Sequence, residues 1–205
     1  MLYRKGLKPL FYSCKQASRR GIGWHRLGSD ICFFKTSSAH ASLTFTFNLP
    51  YDNDTVFFAL AHPYTYISML GHLHTLVTNP RTRDHLEVST LCETVNGNKC
   101  PIVSITDGIR NKGMLKRERD VKPIVVCSAR VHPGEVCSSH MMRGILDFLT
   151  SSHPHAQTLR RTFVFKLVHY TISPESPSQN YTPEYPIIII NNPLRNTKKL
   201  RINPC

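Results

Sequence analysis

Pro123-Ile124-Val125-Val126-Cys127-Ser128-Ala129, running into Arg130-Val131-His132-Pro133-Gly134-Glu135, is the stretch that decides the fold. Its first part is a continuous β-type run, the pattern of a strand buried on both faces and central in its sheet. Val131 to Glu135 contains Pro133 and Gly134 and reads as a tight loop. Ser138 to Thr150 has helical spacing, with Met141, Ile145, Phe148 and Leu149 on one side. Phe163-Val164-Phe165-Lys166-Leu167-Val168 is a second buried strand. Strand, helix, strand is a βαβ unit, so this part of the chain is α/β with a mixed sheet.

Working back towards the start, Ser89 to Val95 and Lys99 to Thr106 flank Asn96-Gly97, a pair that tolerates the positive φ of a hairpin turn. Residues 107–122 are polar, basic and glycine-containing, and read as a loop. Ile67, Leu70, Leu73, Leu76 and Val77 recur at helical spacing between Pro63 and Asn79-Pro80. Before Pro63 the period is β. Leu43, Phe45 and Phe47 alternate with Thr44, Thr46 and Asn48, Tyr51 to Asp54 is a turn cluster, and Val56 to Leu60 is the return strand. With Ile31 to Phe34 these make a small antiparallel module.

Both ends read differently. Residues 1–22 show little periodicity and are expected to be loosely ordered. Residues 169–205 carry Pro174, Pro177, Pro183, Pro186, Pro193 and Pro204 of the chain's 14 prolines. Only Ile187 to Ile190 looks like a strand there, and the segment is expected to be a poorly ordered tail. The domain reading is therefore 1–22 basic and loose, 23–62 the β module, 63–168 the α/β unit, and 169–205 the tail.

Composition narrows the function classes. Hydrophobic residues make up 40% of the 205, enough for a real core. No apolar run approaches the ~20 residues of a membrane helix. The 7 cysteines show no CxxC pair, which suits a reducing compartment. Net charge is +13, and Arg4, Lys5, Lys8, Lys15, Arg19, Arg20 and Arg26 stand in an acid-free opening segment. Such a surplus suits an acidic partner. No recognised nucleic-acid motif accompanies it, so nucleic acid is set aside.

The chemistry concentrates at His132 and Glu135. In open α/β sheets ligands gather beyond the carboxyl ends of strands. An imidazole nitrogen and a carboxylate oxygen are both Zn²⁺ donors, and two such ligands with a further histidine would leave a position for water. HxxE alone is a common tetrapeptide; its setting between strand and helix gives it weight. Other candidates are weaker. His72 and His74 are two apart on a helix and point to different faces. His153 and His155 flank Pro154 and read as solvated, and Cys127 and Cys137 read as small buried side chains.

Several segments together resemble the cytosolic carboxypeptidase, or tubulin deglutamylase, family of zinc metallocarboxypeptidases. Trp24-His25-Arg26-Leu27-Gly28, Ile31 to Phe34 and Leu43 to Phe47 look like that family's small β-sandwich domain. Pro63-Tyr64-Thr65-Tyr66 looks like its entry into the peptidase domain. Leu91-Cys92-Glu93-Thr94 with Asn96-Gly97-Asn98 resembles its first hairpin, and Ser128 to Glu135 its first metal motif. Leu159-Arg160-Arg161 and Phe163 to Leu167 continue the match, which spans roughly residues 23–168.

The resemblance implies an incomplete zinc-carboxypeptidase sheet preceded by a β-sandwich module. It implies His132 and Glu135 as zinc ligands in a cytosolic hydrolase that removes glutamates from acidic protein tails, chiefly tubulin's. The family continues into a Pro-x-Leu-Asn-Pro-Asp-Gly segment, whereas Val168 is followed by His169-Tyr170-Thr171-Ile172. The family's substrate-gripping Asn-Arg pair, oxyanion arginine, third zinc histidine, capping tyrosine and general-base glutamate have no counterpart in residues 169–205. The expectation is a truncated, catalytically inactive chain with an incomplete zinc site. The alternative is a non-catalytic binder of acidic tails or an unstable product.

Overall fold

The computed structural model describes residues 2–35, 41–94, 97–109, 122–132, 134–168, 188–192 and 197–202. The chain forms two compact units, Met1–Pro63 with Tyr181–Cys205, and Tyr64–Asn180.

The first unit holds strands β1 (Leu10–Ser13), β2 (His25–Arg26), β3 (Ser29–Lys35), β4 (Ala41–Asn48) and β5 (Asp54–Ala59), helix α1 (Cys14–Arg20), and strands β10 (Ile188–Asn192) and β11 (Thr197–Ile202). They form two antiparallel sheets, ordered β10-β5-β1-β2 and β11-β4-β3. Alternation along β4 buries Leu43, Phe45 and Phe47, which pack with Phe11, Val56 and Phe58. The Phe47 and Phe58 rings meet edge to face at 4.7 Å. Ser13 caps α1 by accepting from Gln16 N–H, and buried Asp54 accepts from Ser13 Oγ–H and Lys15 N–H.

Both chain ends differ from the sequence reading. Residues 1–22, expected to be loose, carry β1 and α1. In the stretch 169–205, β10 overlaps the run Ile187 to Ile190 read as a strand, whereas β11 lies where poor order was expected. Both runs are free of proline. Ile188 to Asn192 and Thr197 to Ile202 therefore lie antiparallel along β5 and β4.

The second unit contains α2 (Tyr66–Thr78), β6 (Leu86–Glu93), β7 (Lys99–Ile105), β8 (Ile124–Ser128), α3 (Val136–Thr150), α4 (Pro154–Thr162) and β9 (Val164–Val168). The sheet is mixed, ordered β6-β7-β9-β8, with β8 and β9 parallel and the other pairs antiparallel. Met69, Leu73 and Leu76 of α2 and Met142, Leu146 and Leu149 of α3 pack with Val103, Ile105, Phe165 and Leu167 of the sheet. Residues 107–122, expected to be a loop, lie largely outside the described residues, as do Asn96 and Val95 of the hairpin.

Two expectations are corrected. Among the described strands β8 lies at the edge of its sheet, not in the centre, and β9 has a neighbour on each side. Ile124 and Val126 point outward at 62% and 68% exposure, while Val125 and Cys127 face the core. An apolar run reports hydrophobicity but not the number of neighbouring strands. On α3 the buried face is Ser139, Met142, Leu146 and Leu149, and Met141, Ile145 and Phe148 lie on the exposed side. The helix is apolar over two adjacent stripes, and spacing alone cannot choose between them.

Candidate metal centre

The loop between β8 and α3 is built by a reversal of the chain at Arg130. Ala129 N–H extends the parallel ladder to Val168 O at 3.0 Å. Arg130 then takes φ 57°, a left-handed conformation that costs a side-chain-bearing residue about 1 kcal/mol. Polar contacts hold it there. Its N–H donates to Ser138 Oγ at 2.9 Å, and its guanidinium donates to Tyr64 O. Ser138 Oγ–H in turn donates to Glu135 O at 2.6 Å. Ser138 thus links both sides of the loop.

Inside this frame, Glu135 N–H donates to His132 O at 3.1 Å, closing the turn. Glu135 stands at the N-cap of α3, and its side chain makes no capping bond. His132 and Glu135 are both exposed. They sit beyond the carboxyl end of β8, where sequence reasoning places a ligand site.

As a zinc site the described residues are insufficient. Zn²⁺ in proteins takes three or four protein donors. Among the described residues no group of three or more His, Cys, Asp or Glu side chains stands close enough to hold a metal. His132 and Glu135 supply two donors of the right chemistry. His169, Glu175, Glu184, Arg195 and Asn196 lie outside the described residues.

Three other histidines make structural contacts. His72 Nε2 meets Asp147 Oδ1 at 2.6 Å and ties α2 to α3. His140 stacks edge to face on Tyr64, with centroids 5.0 Å apart. Burial pushes the Tyr64 hydroxyl above its usual range, partly offset by Arg143 and Arg130. His153 caps α4 through its ring nitrogen, accepting from His155 N–H. Cys127 is half-buried, but Cys137, read as buried, is exposed.

Residues 76–171 match the zinc carboxypeptidase family model. Cytosolic carboxypeptidase 2 of Xenopus tropicalis is 42% identical over 172 residues, which is 82% of this chain. The chain belongs to the cytosolic carboxypeptidases. Cytosolic carboxypeptidase 3 of Bos taurus is 39% identical over the same share. This chain spans 17% of the length of each of these relatives. Among solved structures, a metallo-carboxypeptidase from Burkholderia cenocepacia superposes with a TM-score of 0.56 at 18% identity, over 80% of this chain and 38% of that one. That likeness supports the carboxypeptidase-type mixed α/β fold. No helix among the described residues is long and apolar enough to cross a membrane.

Proposed function

We propose that this cytosolic carboxypeptidase chain is part of a zinc-dependent exopeptidase acting on glutamate-rich protein tails such as tubulin's, and that the residues present here are inactive alone. The observation that carries the reading is the placement of His132 and Glu135 together beyond β8, inside the matched family segment. When bound, zinc would polarise a scissile carbonyl and acidify a water. The chain's own contribution is two donors and the rigid Arg130–Ser138 frame that positions them. A general base and an oxyanion donor are each worth 10²-fold or more in rate, and neither is found among the described residues. The proposed setting is the cytosol, and the domain reading is a β-sandwich followed by the first half of a peptidase domain.

The net charge of +13 favours a second reading, in which the chain binds acidic tails without cutting them. Purified chain with added zinc is offered a polyglutamylated peptide beside a His132→Ala control. Equal background in both, with salt-sensitive binding of the peptide, is expected. Glutamate release abolished in the control would overturn the claim of inactivity.

A further inference from the structure

Cys92 and Cys100 are Cα partners across the β6–β7 hairpin. Thr94 N–H donates to Asn98 O, so stepping back two residues on each strand places Cys92 and Cys100 in a hydrogen-bonded pair. Such pairs have Cα atoms about 5.5 Å apart, inside the roughly 4.4–6.8 Å that a disulfide spans. Both are thiols here. They differ in surroundings: Cys92 is exposed, whereas Cys100 is only 4% exposed, on the sheet face it shares with Ile102 and Ser104. The two side chains are hydrogen-bonded to each other.

We propose that Cys92 and Cys100 form a reversible redox site, oxidised by hydroperoxides to a cross-strand disulfide that staples the hairpin. The Cys92 thiolate attacks one peroxide oxygen; the S–O bond forms, the O–O bond breaks, and an alcohol or water leaves. Cys100 sulfur then attacks Cys92 sulfur; the S–S bond forms, the S–O bond breaks, and hydroxide departs with the Cys100 proton as water. Two thiols lose two electrons and the peroxide gains them. Exposure of one sulfur gives a reductant access, and exposed disulfides are the labile, regulatory kind. Burial, reinforced by the neighbouring Cys92, pushes the Cys100 thiol up to about 11. Cys92 is therefore the attacking group and Cys100 the resolving one. Closure should speed up as pH rises towards that value.

The test uses the whole reduced chain, treated with hydrogen peroxide, alkylated and digested with trypsin. Cleavage after Lys99 separates the two cysteines, so the disulfide joins peptide 84–99 to peptide 100–110. That linked pair is expected to exceed any other linked pair about tenfold, because the partner thiol is held in place. It should vanish with dithiothreitol. In Cys100→Ser, Cys92 should stop at a sulfenic acid trapped by dimedone. The wild-type digest stands even if that variant misfolds. Cys92 oxidised while Cys100 remains open to alkylation, or Cys92 joined mainly to Cys14, Cys32 or Cys137, would overturn the proposal.

Discussion

The guanidinium of Arg160 donates from Nε to Asp107 Oδ1 at 2.8 Å, joining α4 to the turn that follows β7. The same buried side chain donates from Nη1 to Leu149 O and Ser151 O, at the end of α3. One residue thus satisfies the open carbonyls of a helix terminus and fixes the route from α3 through α4 to β9.

Arg160→Ala should therefore cost the second unit about 3 kcal/mol, since it leaves the carbonyls of Leu149 and Ser151 without this donor and takes from Asp107 its nearest cation, with only His85 and Arg161 left beside the carboxylate. Asp107→Asn should cost less, about 1 kcal/mol, because the amide oxygen still accepts from Arg160 and Asp107 is 28% exposed. Urea denaturation followed by far-ultraviolet circular dichroism measures both. Equal losses would mean that the ion pair, and not the carbonyl contacts, dominates.

In the β-sandwich unit, Phe58 touches Phe11, Phe45 and Phe47, with centroids 4.7 to 5.3 Å away. It is 2% exposed. Phe58→Ala should destabilise this unit by about 3–5 kcal/mol, through lost burial and the cavity left behind. Phe57 alternates to the other face, so Phe57→Ala should cost clearly less. Denaturation midpoints of the two variants give the comparison.

Zinc should bind weakly. Two exposed donors do not hold Zn²⁺ as three or four do. Millimolar zinc should then raise the melting temperature little, since stabilisation grows only as RT ln(1 + [L]/Kd). His132→Ala and Glu135→Gln should leave the fold unchanged, because both side chains are exposed and the Glu135 side chain makes no capping bond. Calorimetric titration is the check; tight binding abolished by His132→Ala would show that residues outside the described set complete the site.

How far the sequence was legible follows from these particulars. Periodicity located the β region before Pro63, α2, the hairpin, α3 and β9, because each pattern depends on neighbours along the chain. The loop after β8 was legible in the sequence as a break between an apolar strand and a helix, and its reading as a metal site remains part of the proposal. The edge position of β8 was not, because strand order depends on partners distant in sequence. Nor was the side of α3 that faces the sheet, since Met141 and Met142 begin equally apolar stripes. Arg130 was missed as the turn's pivot. A positive φ at arginine carries no composition signal, and only its contacts to Ser138 and Tyr64 explain it. Cys92 and Cys100 looked unrelated at a spacing unlike CxxC until strand register set them opposite each other.

The edge position of β8 yields the last prediction. Its outward backbone groups are unpaired by any other described strand, and beside them lie Ile124 and Val126. An uncharged apolar edge is a template for pairing with another chain, and a lysine on the outward face is how proteins block it. Val126→Lys should thus lower aggregation, with stability changed by no more than about 0.5 kcal/mol, since the side chain is already in solvent. Val125 is the internal control. It is next in sequence but packs against the core cluster of the unit, so Val125→Lys buries a charge and should cost about 2–4 kcal/mol. Light scattering at increasing protein concentration reads the first effect, and urea melts read the second. If both lysines proved equally disruptive, β8 would have to be covered on both faces, and Val126 would not lie in solvent.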